Sequence, residues 1–133
     1  MNDLIWDNTL SVQIDEIDED HRRLVDLFNL LNHAVSENES SEYIDALMAE
    51  LVSCTDWHFK HEERLMLKYA FPGFAEHKAE HEELLNSVRQ MEQKRQASGK
   101  DISNDEILFL EHWLTGHILG LDMDLGEYLS EVI

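Results

Sequence analysis

The amino-acid sequence predicts an all-α protein: an antiparallel up-down-up-down four-helix bundle with an N-terminal arm and a short C-terminal helical segment. Three observations predict it. Apolar residues recur at three- and four-residue steps through four long stretches, the period of a helix with one buried face. Proline occurs once and glycine five times in 133 residues, and breakers this sparse leave room for long helices. The stretches are joined by short connections, so antiparallel neighbours are the simplest arrangement.

Residues 1–18 carry Trp6, Val12, Ile14 and Ile17 without a helical period and are expected to form an ordered arm closing one end of the bundle. The first helix is predicted over residues 19–37, where Leu24, Leu27, Phe28, Leu31 and Val35 form one stripe that also carries His21. The second is predicted from Ser41 to Tyr69, with Ile44, Leu47, Leu51, His58, Glu62, Leu65 and Tyr69 on a common face. It stops before Phe71-Pro72-Gly73 because the residue preceding proline is pushed out of helical dihedrals. The third begins near Phe74, turns His77, His81, Leu84, Leu85, Val88 and Met91 inward, and ends at Ser98-Gly99, where glycine suits a left-handed C-cap. Ser103 and Glu106 form a capping-box signal for the fourth, whose inward face reads Ile107, Leu110, Leu114, His117, Leu121. Beyond Asp122, Leu125, Leu129 and Val132 mark a short terminal helix packed against the bundle.

The chain is expected to be one domain, residues 1–133, large enough to bury its own core. Its net charge of -19, from 29 acidic against 10 basic residues, makes nucleic acids and anionic membrane surfaces poor partners. Acidity of this size favours a mutually repelling particle, expected to be a monomer. A single cysteine, Cys54, excludes an intramolecular disulfide, a cysteine zinc cage and a cysteine-ligated iron–sulfur cluster. The first residues lack the basic start and apolar run of a signal peptide, and no apolar stretch is long enough to span a bilayer. The expected location is cytoplasmic.

Five histidines and two carboxylates occupy inward faces: His21, the pair His58/Glu62, the pair His77/His81, and His117 with Asp122. Four residues make about 400° of helical turn, so the i,i+4 pairs are two-pronged clamps directed inward. Burying so many imidazoles costs desolvation unless each finds a partner, and a metal supplies all the partners at once. A structural zinc takes about four protein ligands and a catalytic zinc about three, so seven suit two metals. Imidazole with carboxylate suits redox-active first-row metals, which points to a dinuclear iron centre.

His117 and Asp122 are five apart, which on a regular helix turns the aspartate away from the histidine. The pair works if the helix ends, bends or widens near Gly120, a residue permissive enough for that distortion. Asp124 is the rival carboxylate. His61 is expected on the helix surface because Glu62 completes the better clamp, and His33 and His112 are expected to face solvent or an interface. Cys54 reads as a small buried apolar residue and not a thiolate ligand. Trp57, Phe59, Phe109 and Trp113 read as packing, with those beside ligands able to wall off water. Glu63 is expected to be dispensable to the metals.

The combination of His21, His58-Phe59-Lys60-His61-Glu62-Glu63 with Leu65-Met66, Phe71-Pro72 before His77 and His81, and Trp113-Leu114 before His117-Ile118 and Asp122 resembles the hemerythrins, specifically the single-domain bacterial form. The resemblance spans the whole chain, Trp6 included. It implies a non-haem di-iron site in which His77, His81 and His117 bind one iron, while His21 and His58 bind the other and leave it an open position. Glu62 and Asp122 would bridge the two irons together with an oxo or hydroxo group. The implied function is reversible O2 binding for transport, storage or delivery, with no enzymatic turnover. Leu114, one turn before His117, would stand beside bound O2, with Phe28, Trp113 and Ile118 as further pocket walls. An O2 sensor acting through a separate partner and a di-iron oxidase or peroxidase are the alternatives. Ferritin-like di-iron enzymes usually use Glu-x-x-His, which this chain lacks.

Overall fold

The computed structural model describes residues 3–99 and 102–133. Helices α1 (Asp15–Ser36), α2 (Ser41–Lys68) and α3 (Phe74–Ser98) are followed by α4 (Asn104–His117), a π-helical turn (Ile118–Asp122) and α5 (Met123–Val132). The turn joins α4 to α5 without a break, so the two form the fourth rod of the bundle. The expected C-terminal segment is therefore a continuation of the fourth helix, and Val132 near its end is 43% exposed where packing was expected.

The chain writes its own helix ends. Ser40 caps α2 by accepting from the Tyr43 amide at 3.2 Å. Ser103 and Glu106 exchange side-chain-to-backbone bonds of 3.1 Å in a capping box at the start of α4. The C-termini of α1 and α2 close in the same way, through left-handed residues Asn38 (φ 55°) and Ala70 (φ 52°). In α2 the Phe71 amide reaches the Met66 carbonyl at 2.9 Å and the Ala70 amide the Leu67 carbonyl at 3.4 Å, the double bond of a Schellman motif. Gly99 ends α3 at φ 67°.

α1 begins four residues earlier than its apolar stripe suggests. Ile17 is fully buried and sits one turn before His21, and Asp15, Glu16 and Asp18 place negative charge at the helix N-terminus. Asp18 accepts from the Val12 amide (2.9 Å) and the Ser11 hydroxyl (2.6 Å), which ties the arm to the first turn. Farther along α1, the Asn29 side-chain amide pairs with both backbone groups of Leu4 at 2.8 Å. The arm therefore runs lengthwise along α1, antiparallel to it, instead of only closing an end. Residues 1 and 2 of the expected arm lie outside the described residues. Val12 also lies against Gly126 of α5, where an added Cβ would fall on the Val12 carbonyl oxygen.

The core runs the length of the bundle through Leu24, Phe28, Leu31, Met48, Met66, Ile107, Leu110, Ile118, Leu125 and Leu129, each at most 2% exposed. Burial of one such side chain contributes about 1.5–3 kcal/mol. The polar cluster described next is set inside this apolar column and is itself buried.

Candidate metal centre

All four rods send polar side chains to one buried point. His21 comes from α1, His58 and Glu62 from α2, His77 and His81 from α3, His117 from α4 and Asp122 from the π-helical turn; none is more than 6% exposed. The turn explains the five-residue spacing. A helix that widens to i→i+5 bonding brings the fifth residue round to the face of the first, so Asp122 takes the inward place while Leu121 is only half-buried. The inward position expected for Leu121 belongs to Asp122 for that reason. Asp124 is exposed.

The carboxylate oxygens divide the imidazoles into two sets. Glu62 Oε1 faces the Nε2 atoms of His81 (2.9 Å), His77 (3.3 Å) and His117 (3.9 Å), while its Oε2 faces those of His58 (3.1 Å) and His21 (3.5 Å). Asp122 repeats the division: Oδ1 faces His77 (2.9 Å) and His117 (3.0 Å), and Oδ2 faces His21 (2.9 Å). Two overlapping groups of potential metal ligands result, Glu62/His77/His81/His117/Asp122 and His21/His58/Glu62/Asp122, each with its ligand atoms within 4.8 Å of one another. The two carboxylates belong to both.

Three of the imidazoles are held from behind. His58 Nδ1 donates to Asp20 (2.9 Å), His81 Nδ1 to Glu63 (2.9 Å) and His117 Nδ1 to Glu80 (2.9 Å). The pattern is regular. Each outer carboxylate is the sequence neighbour of an inner residue and supports a histidine on the next helix: Asp20 beside His21 reaches α2, Glu63 beside Glu62 reaches α3, and Glu80 beside His81 reaches α4. Glu63, expected to be dispensable, is thus one of the three supports. Asp20 also accepts from His61 Nδ1 at 2.6 Å. That bond draws His61 partly inward, to 15% side-chain exposure, where a surface position was expected. His33 pairs with Asp3 in solvent and His112 is exposed, both as expected.

The donor set fits a pair of cations. An ionised carboxylate only accepts, so the Nδ1 of each supported ring carries the hydrogen and its Nε2 presents a lone pair. The Nε2 lone pairs of His81 and His117 then meet at 3.2 Å. His21 Nε2, His58 Nε2, His77 Nε2 and both oxygens of Glu62 and of Asp122 are buried without a hydrogen-bond partner despite their closeness. Metal ions between these atoms would satisfy all of them, and protons are the substitute. Burial opposes charge on His58, but the Glu62 and Asp20 carboxylates outweigh it and raise its pKa to about 10. His77 is raised to about 9 against the same burial by Asp122 and Glu62. Burial likewise works against ionised Glu62 and Asp122, yet the surrounding imidazoles hold both below the usual carboxylate range.

The model for the hemerythrin HHE cation binding domain matches residues 12–129. The chain belongs to the hemerythrin family. It is 35% identical to a bacteriohemerythrin of Stenotrophomonas maltophilia (strain R551-3), over 96% of this chain and 82% of that one. It is 30% identical to a myohemerythrin of Riftia pachyptila, over 89% and 87%. The crystal structure of a wild-type hemerythrin superposes with a TM-score of 0.87 at 27% identity, covering 96% of this chain and 98% of the other. The four-helix bundle is the hemerythrin architecture, and the two sets of facing ligand atoms lie where its four rods meet.

The expected pocket residues of this hemerythrin are all buried: Leu114 at 4%, Phe28 at 2%, Trp113 at 8% and Ile118 at 0%. Phe28 stands two helical turns along α1 from His21, and Phe59 packs directly on the cluster. Its ring lies flat on His81 (centroids 3.9 Å, planes 4° apart) and sits 5.4 Å from His117 and 5.9 Å from His58. Adjacency to His58 was the signal in the sequence for this wall residue. Asp20, Glu63 and Glu80 had a similar signal, an acid beside each inward ligand, but nothing local tells which helix it reaches. Cys54 is half-buried, and burial raises its thiol pKa.

Proposed function

We propose that this chain binds O2 reversibly at a di-iron centre held by His21, His58, Glu62, His77, His81, His117 and Asp122, and that it serves as an O2 carrier, store or local donor. The observation that carries the reading is the division of the Glu62 and Asp122 oxygens between three imidazoles on one side and two on the other. Equal ligation would leave both metals alike. The unequal division leaves the His21/His58 side one donor short, and that is the position a diatomic ligand would take. Bound iron would supply a reversible redox couple and the open coordination position.

The protein's own tasks follow from the geometry. Glu62 and Asp122 hold the two sets of imidazoles in register by reaching both. Asp20, Glu63 and Glu80 fix the ring orientation and tautomer of His58, His81 and His117, and strengthen them as donors. Phe59, Trp113, Leu114 and Ile118 keep the face of the cluster apolar, which excludes the water and anions that would favour irreversible oxidation. On this reading the chain is an O2-binding protein and not an enzyme, and residues 1–133 act as one O2-binding unit.

A cytoplasmic location suits it. The lone cysteine requires no oxidising compartment, and among the described residues no helix is long and apolar enough to cross a membrane. Elemental analysis of protein produced with ample iron tests the centre: two irons per chain are expected, and one tightly held zinc per chain would contradict it.

A further inference from the structure

The three outer carboxylates are not used alike. Among the described residues Glu63 accepts only from His81 and Glu80 only from His117, each at 2.9 Å. Asp20 accepts from two rings, and on one oxygen: its Oδ2 lies 2.9 Å from His58 Nδ1 and 2.6 Å from His61 Nδ1. The shorter bond goes to His61, which belongs to neither group of potential metal ligands. The other two inner rings, His21 and His77, have no support of this kind, since their Nδ1 atoms are buried without a hydrogen-bond partner.

His61 is held in this place from outside. It follows His58 by three residues on α2, so the two rings are neighbours on the helix surface and reach the same carboxylate of α1. Its Nε2 faces Glu16 Oε1 at 3.6 Å, and its ring lies 5.2 Å from that of exposed Trp57. Glu16, Asp20, Trp57 and His61 all line one surface groove. At 15% side-chain exposure, His61 stands between solvent and the Asp20–His58 bond.

The consequence is a graded donor strength. A carboxylate behind an imidazole raises its basicity toward a metal, and a further hydrogen bond to that carboxylate stabilises its charge and takes part of the effect away. His81 and His117, on the three-imidazole side, are backed by undivided carboxylates. On the two-imidazole side His58 shares its carboxylate and His21 has none. The side with fewer donors is also the side with weaker ones, and hydrogen bonding in this outer layer is one of the levers that set a metal's reduction potential. We propose that His61 is a positioning residue for the metal held by His21 and His58: by occupying Asp20 Oδ2 it weakens His58 as a donor and favours the lower oxidation state at the position left open. The inference rests on the di-iron reading for the identity of the metal, though not for the sharing of Asp20.

The test uses the full chain. His61→Phe keeps an aromatic ring beside Trp57 without a donor, and His61→Leu is a second variant without one. His61→Asn returns an N–H toward Asp20, and His112→Phe, on the exposed face of α4, is the control. In anaerobic redox titration of iron-loaded protein, loss of the hydrogen bond raises the ferric-over-ferrous preference about fivefold, a midpoint lowered by about 40 mV at about 59 mV per tenfold for one electron. His61→Asn regains the wild-type midpoint and His112→Phe keeps it. Affinity for cobalt(II), measured by chelator competition, holds in the donorless variants, whereas loss of a mere strut would lower it about 10–100-fold. A midpoint that is unchanged or higher in both donorless variants, or a cobalt affinity lowered about tenfold or more, overturns the proposal. Proton NMR of chelator-stripped protein reads the sharing without iron: the His58 Nδ1 proton moves downfield in His61→Phe, because Asp20 then draws on it alone. Absence of that shift also overturns the proposal. A shift that appears while wild-type protein loads fewer than two irons leaves the sharing of Asp20 intact and counts against the di-iron reading instead.

Discussion

The Nε2 atoms of His81 and His117 face each other at 3.2 Å, and each ring is engaged from behind by a carboxylate, Glu63 and Glu80 respectively. Something positive must lie between them, a metal ion in the loaded protein or protons in the stripped one. Two other imidazoles of the cluster hold protons tightly in the stripped protein, His58 raised to about 10 and His77 to about 9 from an ordinary 6.5. Groups raised on folding stabilise fully below their unfolded pKa, and that contribution is lost as pH rises through the folded value. Metal displaces the protons and takes over their role. The melting temperature of chelator-stripped protein should therefore fall between pH 7 and 10 while that of loaded protein holds, so the gap widens with pH. A gap that narrows would contradict this account.

The outer carboxylates carry a second prediction. Glu63→Ala and Glu80→Ala each free a ring that is now fixed at 2.9 Å, and loss of such support typically costs about 10–100-fold in metal affinity. Exposed Glu83, on the same helix as Glu80 and with its backbone carbonyl accepting from Ser87, is the control. Chelator competition measures all three, and equal affinity for Glu63→Ala and Glu83→Ala would refute a supporting role.

The contrast between Glu62 and Glu63 shows what a sequence of this kind reveals. The inward direction of Glu62 follows from its spacing to His58, because helical periodicity is local, and the same holds for the His77/His81 pair. Even Asp122 was accessible, through the permissive Gly120 beside an awkward spacing, although the π-helical turn itself and the displacement of Leu121 were not. The reach of Glu63 to His81 depends on how α2 and α3 slide past each other, and no local period encodes that register. Asp20 and Glu80 were hidden for the same reason. The early start of α1 was missed because its first turn is anchored by the arm, through Asp18, and not by a side-chain cap.

Gly126 allows the arm to lie against α5. Its missing Cβ is where the Val12 carbonyl oxygen sits, so Gly126→Ala must push the arm away or bend α5. Overpacking of this sort costs about 1–3 kcal/mol. Urea denaturation should show that loss, and hydrogen exchange at the Val12 amide, now bonded to Asp18, should accelerate. Unchanged exchange would mean that the arm is held elsewhere.

Ala70 has the opposite prospect. At φ 52° it occupies the left-handed region in the Schellman turn that ends α2, a conformation that costs an L-residue about 1–2 kcal/mol and glycine almost nothing. Allowing for the greater freedom of glycine in the unfolded chain, Ala70→Gly should stabilise by about 0.5–1 kcal/mol. The Tyr128 hydroxyl, bonded to the Tyr69 carbonyl at 2.6 Å, keeps the turn in place. Chemical denaturation is the measurement, and a destabilised variant would show that the turn carries no strain.

Reversible ligand binding at the unequal pair of metal positions is tested most directly by a spectrum. Iron-loaded protein is reduced without oxygen, exposed to O2 and then degassed while its ultraviolet–visible absorption is followed. New absorption should appear with O2 and vanish on degassing, over repeated cycles, with no added reductant consumed. Absorption that persists after degassing, or steady consumption of reductant or peroxide, would contradict the O2-carrier reading and mark the chain as an enzyme.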